Sequence, residues 1–124
     1  MGKTDMLAHK ETILIVDDAP ENVALLSAML KERYRTKVAT SGARALEVAA
    51  SDSPPDLILL DIVMPEMDGY EVCRRLKASV HTRQIPIIFL SALTDTIDKL
   101  RAFRAGAVDF VVKPVGPERL QVSL

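Results

Sequence analysis

The chain has 124 residues, 48% of them hydrophobic, and its 16 basic side chains nearly balance 17 acidic ones. That length suits one domain around one core, so two domains are excluded, and the balanced charge without a basic block leaves no footprint for nucleic acid. No apolar run approaches the roughly 18 to 20 residues of a membrane span, and "MGKTDMLAHK" lacks the apolar stretch of a secretory signal, so a soluble cytoplasmic protein making no direct membrane contact is expected.

Residues 12 to 16, "TILIV", form an unbroken apolar run, the pattern of a strand buried on both faces of a parallel sheet. Pro20 suits the first turn of a helix, where its missing N–H costs nothing, and Val23, Leu26 and Leu30 recur behind it at helical spacing. "RTKVAT" (35 to 40) is a more polar strand, as an edge would be. A second helix follows Ser41 with Leu46 and Ala49 inward, and "LILL" (57 to 60) is the third strand. The third helix opens at Asp68, a capping carboxylate with Glu71 three residues on. On that helix the single Cys73 reads as a small core residue with no disulfide partner. "PIIFL" (86 to 90) is the fourth strand. The fourth helix is predicted to turn Ile97, Leu100 and Phe103 inward and to stop at Gly106, while Arg101 and Arg104 make one face positive. "VDFVV" (108 to 112) is the fifth strand. A fifth helix begins near Pro117 but reaches Leu124 after barely two turns, so the chain is expected to be cut inside it or just after it.

Strands alternating with helices make an α/β fold, with a doubly wound five-stranded parallel sheet and right-handed crossovers. Ligands of such sheets bind beyond the carboxyl ends of the strands. Here those ends carry Asp17 and Asp18, Asp61, Ser91 and Lys113. Each alone has an ordinary reading, as a solvated turn, a helix cap or a strand exit. Together, on one edge, they form a pocket of three acids, a hydroxyl and an ammonium. Clustered carboxylates repel unless a cation sits among them, which implies a divalent metal. Oxygen ligands point to Mg²⁺ or Mn²⁺, and zinc has no site because His9 precedes the first strand and His81 lies in the polar stretch "SVHTRQ". A metal, a lysine and a hydroxyl around one carboxylate suit phosphoryl transfer, with Asp61 as the candidate nucleophile.

"ILIVDDAPEN", "PDLILLDIVMPEMDGYEV", "IPIIFLSA" and "GAVDFVVKP" together resemble the receiver domain of two-component response regulators, over residues 11 to about 120. The resemblance implies a flavodoxin-like (βα)5 fold with strand order 2-1-3-4-5, in which residues 1–10 are an N-terminal extension and 11–124 the receiver. It implies that Asp61 accepts a phosphoryl group from a phosphohistidine of a sensor kinase or phosphotransfer protein. Asp18 would bind Mg²⁺ directly and Asp17 through water, with Asp61 and the backbone carbonyl of Val63 completing the protein ligands. Lys113 would pair with Asp61 at rest and with a phosphoryl oxygen afterwards. The hydroxyl of Ser91, helped by the N–H of Ala92, would hold another phosphoryl oxygen, Pro65 and Gly69 would shape the loop after Asp61, and the bond between Lys113 and Pro114 would be cis.

By the same resemblance the protein is a switch rather than a stand-alone enzyme. Charge added at Asp61 draws in Ser91 and moves the start of the fourth helix, and Phe110, three residues before the lysine, rotates inward. Lacking a hydroxyl, Phe110 is expected to be less sharply two-state. The altered surface would be the fourth helix, fifth strand and fifth helix, where an output domain, a downstream protein or a second copy docks. The "DDAPEN" and "PEMDGYEVCRRLK" stretches are similar to receivers attached to cyclic di-nucleotide enzymes or hybrid kinases, with a stand-alone relay as the alternative. Three other readings are weighed: a haloacid-dehalogenase-type aspartyl phosphatase, whose two acids are not adjacent as in "VDDAP"; a flavodoxin-type flavin carrier, disfavoured by few aromatics and no hydroxyl-rich loop; and a degenerate receiver serving only as an interaction module.

Overall fold

Unbroken apolar strands need cover on both faces, and the chain supplies it with helices on either side of one sheet. A computed structural model of the chain describes residues 10–91 and 99–113, without the side chain of Lys99. The expectations placed on Ala92, Ile97, Pro114 and a helix at Pro117 lie outside the described residues. In chain order the elements are β1 (Thr12–Val16), α1 (Pro20–Leu30), β2 (Arg35–Ala39), α2 (Gly42–Ala49), β3 (Leu57–Asp61), α3 (Gly69–Ala78), β4 (Ile87–Ser91), α4 (Lys99–Ala105) and β5 (Asp109–Val112). All strand pairs are parallel and the order is β2-β1-β3-β4-β5, as expected.

Strand alternation divides the core in two. Leu14, Val16, Ile58, Leu60, Ile87 and Phe89 face α2 and α3 through Ala45, Ala49, Val72, Cys73 and Leu76. Ile13, Ile15, Leu59, Ile88, Leu90 and Val111 face α1 through Val23, Leu26 and Leu30. Strand β2 is the polar edge: Arg35 and Val38 are exposed and only Ala39 is buried. Cys73 is fully buried, its Sγ donating to the Ala105 carbonyl at 3.1 Å, and burial pushes the thiol up to about 11. That is the behaviour of an inert core thiol. Among the described residues no helix is long and apolar enough to cross a membrane.

The helix ends follow local chemistry. Pro20 occupies the first turn of α1, and Ser41 and Asp68 cap α2 and α3 by accepting from the N–H groups of Arg44 and Glu71. The Glu71 carboxylate is held by Arg74 and then Arg75, whose hydrogen bonds pull it down to about 2. Gly106 ends α4 at φ 107°, with its own N–H bonded to the Phe103 carbonyl and that of Ala107 to the Ala102 carbonyl. This paired closure is the Schellman arrangement, which needs a left-handed residue.

The inward face of α4 is a correction. Leu100 and Phe103 are 58% and 50% exposed, whereas Ala102 is 1% exposed and is the residue that joins the core. The sequence "KLRAFRA" offers two apolar stripes at helical spacing, and hydrophobicity favours the bulkier one. The 3.1 Å contact of the Cys73 sulfur with the Ala105 carbonyl reports how closely α3 approaches the end of α4, and it is Ala102, not the bulkier pair, that is buried there.

Candidate functional site

Register carries the reactive side chains to one edge. Val16 pairs with Leu60, so Asp17 follows β1 where Asp61 ends β3; Ser91 pairs with Val112, so Lys113 follows at the end of β5. By alternation Asp17, Asp61 and Lys113 share the side of the sheet that faces α1, while Ser91 has the parity of Phe89 and faces the other way. The Ser91 carbonyl accepts the N–H of Lys113 at 2.6 Å, and the residue is fully buried.

The Lys113 Nζ lies 2.8 Å from Asp17 Oδ2 and 3.4 Å from Asp61 Oδ2. The ammonium expected beside Asp61 is thus shared, and it sits closer to Asp17. Asp17 is fully buried and Asp61 is 4% exposed, whereas Asp18 is open to solvent. Asp17 Oδ1 also accepts the N–H of Ala19 at 3.0 Å, and its Oδ2 accepts the side-chain amide of Asn22 at 3.3 Å.

Burial first, and the charge of Asp17 second, push the Asp61 carboxyl up to about 6, with Lys113 and the Val63 N–H offsetting part of the rise. Burial drives the Lys113 ammonium down, but its hydrogen bond to Asp17 and the nearby Asp61 charge outweigh this, and the net shift is upward. One carboxylate oxygen from each of Asp17, Asp18 and Asp61 lies within 4.8 Å of the other two. Three carboxylates against one ammonium leave two uncompensated negative charges when all are ionised. Oxygen donors, a net negative charge and an open side at Asp18 fit a hard divalent cation such as Mg²⁺.

The loop after Asp61 is tightly formed. Val63 is 59% exposed, so its side chain takes no part in the pocket. After Pro65, Glu66 takes φ 67°, and the N–H of Met67 bonds to the Pro65 carbonyl at 2.7 Å. A three-residue turn of this hand is strained for any residue with a Cβ. Glu66→Gly is therefore expected to leave stability unchanged or raise it by about 1 kcal/mol, checked by urea unfolding, although glycine costs stability at an ordinary exposed position. Gly69 then returns its N–H to the Ile62 carbonyl at 2.7 Å.

Phe110 is half-buried in register with Phe89, and its N–H bonds to the Asp109 carboxylate at 2.8 Å. Phe89 meets the edge of Tyr70 with ring centres 5.3 Å apart, and the Arg101 guanidinium lies over the Tyr70 ring at 4.1 Å. The positive face expected from Arg101 is in part spent on this stack. Neither Tyr70 nor Asn22 stands out in the sequence. For Asn22 the usable signal is Pro20: a helix that begins there puts residue 22 in the first turn beside the acidic strand end.

The fold and site define a class: a doubly wound α/β domain with an acid cluster and a lysine at the carboxyl edge of its sheet. Residues 13–124 match the model of the response regulator receiver domain, and the chain belongs to that family. It is 54% identical over 104 residues to a probable cyclic di-GMP phosphodiesterase of Vibrio cholerae, covering 84% of this chain and 23% of that protein. The chain therefore spans less than a quarter of the length of this relative. It is also similar to the receiver domain of a histidine kinase from Syntrophus aciditrophicus, with 40% identity and TM-score 0.80 over 91% of this chain and 86% of that one. The receiver domain of a sensor histidine kinase from Pseudomonas aeruginosa, solved with magnesium in its active-site cleft, is 33% identical with TM-score 0.80, over 91% and 93% of the two chains. Membership of the receiver family sets aside the phosphatase and flavin-carrier readings.

Proposed function

We propose that this receiver is a Mg²⁺-dependent phosphorylation switch in which Asp61 takes a phosphoryl group from a phosphohistidine on a sensor kinase or phosphotransfer protein. The observation that carries this reading is the convergence of Asp17, Asp18, Asp61 and Lys113 at one sheet edge. The carboxylate of Asp61 attacks phosphorus, an O–P bond forms as the N–P bond breaks, and the imidazole of the donor leaves and takes up a proton. Asp18, Asp17 through water, Asp61 and the carbonyl of Val63 would hold Mg²⁺ or Mn²⁺. The bound cation supplies neutralisation of the phosphoryl oxygens. Lys113 transfers its contact from the two carboxylates to a phosphoryl oxygen, as a point charge free of fork geometry.

The opposite parity of Ser91 gives the switch its direction. A phosphoryl group on Asp61 draws in the Ser91 hydroxyl, the N–H of Ala92 helps to hold it, and Phe110 rotates inward. The face of α4, β5 and the segment after Pro114 then docks an output domain, a downstream protein or a second copy. The 54% identity to a probable cyclic di-GMP phosphodiesterase favours cyclic di-nucleotide signalling as the process that this switch serves.

Incubation with acetyl phosphate and Mg²⁺ followed by intact-mass measurement is expected to give a single phosphoryl adduct, lost in Asp61→Asn and on chelation. An undiminished adduct in Asp61→Asn would overturn the assignment of the nucleophile. No adduct on the wild-type chain would leave an interaction module.

A further inference from the structure

Asp17 is a fully buried carboxylate with three donors among the described residues. The Ala19 N–H takes Oδ1, and Oδ2 is shared between Lys113 at 2.8 Å and the Asn22 amide at 3.3 Å. Asn22 is half-buried in the first turn of α1, where its own N–H is bonded to the Ala19 carbonyl. Its side-chain amide reaches back five residues to the acid.

The two donors on Oδ2 differ in kind. Lys113 is an ammonium that neutralises the carboxylate and, on the proposed function, leaves it for a phosphoryl oxygen. A neutral amide orients the oxygen without cancelling its charge, so it does not compete electrostatically with a cation. Once the ammonium moves, Asn22 is, among the described residues, the side-chain donor that still fixes the carboxylate plane of Asp17.

We infer that Asn22 is a positioning residue, which holds the Asp17 carboxylate in the orientation that a hydrated divalent cation requires. The inference rests on the proposed function and deepens it, since it assigns a role outside the acids, the hydroxyl and the lysine.

The test is calorimetric titration of the metal-free chain with MgCl₂, alongside the rate of adduct formation from acetyl phosphate at several Mg²⁺ concentrations. Asn22→Ala is expected to weaken Mg²⁺ binding by about tenfold, the low end of the range for loss of a group that orients a metal ligand, because the Ala19 N–H and Lys113 still bond to Asp17. Its adduct rate should return to the wild-type value at saturating Mg²⁺, and its thermal midpoint without metal should stay close to wild type, since alanine suits a helix better than asparagine. Asn22→Gln, which keeps an amide on a longer arm, should recover part of the affinity. Unchanged Mg²⁺ affinity in Asn22→Ala would overturn the assignment. So would equal losses of affinity and thermal midpoint in both variants, which would mark a purely structural role. Failure of the wild-type chain itself to take up Mg²⁺ would instead sink the proposed function, so the two failures are distinguishable.

Discussion

Gly69→Ala is expected to destabilise the domain by about 3 kcal/mol, the upper part of the range for overpacking a closed site. A Cβ at this position would stand 2.4 Å from the Asp61 carbonyl oxygen, 2.8 Å from the Ile62 Cα and 3.1 Å from the Asp61 carbonyl carbon. All three are backbone atoms of the strand end, so no side chain can swing aside. The Gly69 N–H is also bonded to the Ile62 carbonyl, which ties the start of α3 to the end of β3. Relief must come from moving either the helix start or Asp61 itself. Denaturant unfolding should show a lower midpoint with an unchanged slope, and the adduct yield should fall as Asp61 is displaced. A midpoint equal to that of the wild type would show that the loop has slack which these distances exclude.

Asp61→Asn is expected to stabilise the metal-free protein at neutral pH and, on the proposed function, to abolish phosphoryl acceptance. Burial and the neighbouring Asp17 raise the Asp61 carboxyl from 3.8 to about 6. A folded-state value above the unfolded one means that the folded protein holds its proton to higher pH. The associated stability is full below about pH 4 and is lost as pH rises through about 6, a span worth roughly 2 to 3 kcal/mol. Asparagine has nearly the same shape and no charge, so it escapes that loss, and Lys113 keeps its 2.8 Å contact with Asp17. The variant should unfold at higher denaturant than wild type at about pH 8, and the difference should shrink towards about pH 4. Mg²⁺ should narrow the gap at high pH by binding the folded wild type. A pH-independent difference would mean that something other than Asp61 ionisation sets it.

Much of this was legible in the residues. Runs such as "LILL" cannot lie on a surface, and unbroken runs separated by helical patterns admit a doubly wound parallel sheet. That alone sends Asp17, Asp61, Ser91 and Lys113 to a common edge. Pro20, Asp68 and Gly106 marked helix ends correctly because caps and stops depend on bonds made within a few residues. The failure at α4 has the same root. Leu100 and Phe103 carried the stronger apolar signal, but which stripe turns inward is decided by how closely α3 approaches, as the Cys73 contact with Ala105 reports.

The order of the reactive side chains along the chain, and the strands that carry them, are properties of the sequence by itself, since burial pattern and period are local. Which carboxylate holds Lys113 more closely, which way Ser91 faces and that Asn22 reaches Asp17 were decided only in the tertiary structure. Lys113 and Asp17 are separated by 96 residues, and their 2.8 Å contact depends on strand register and helix approach together. Tenths of an ångström at such a contact are set by the packing of the whole domain, and no short window of residues encodes them.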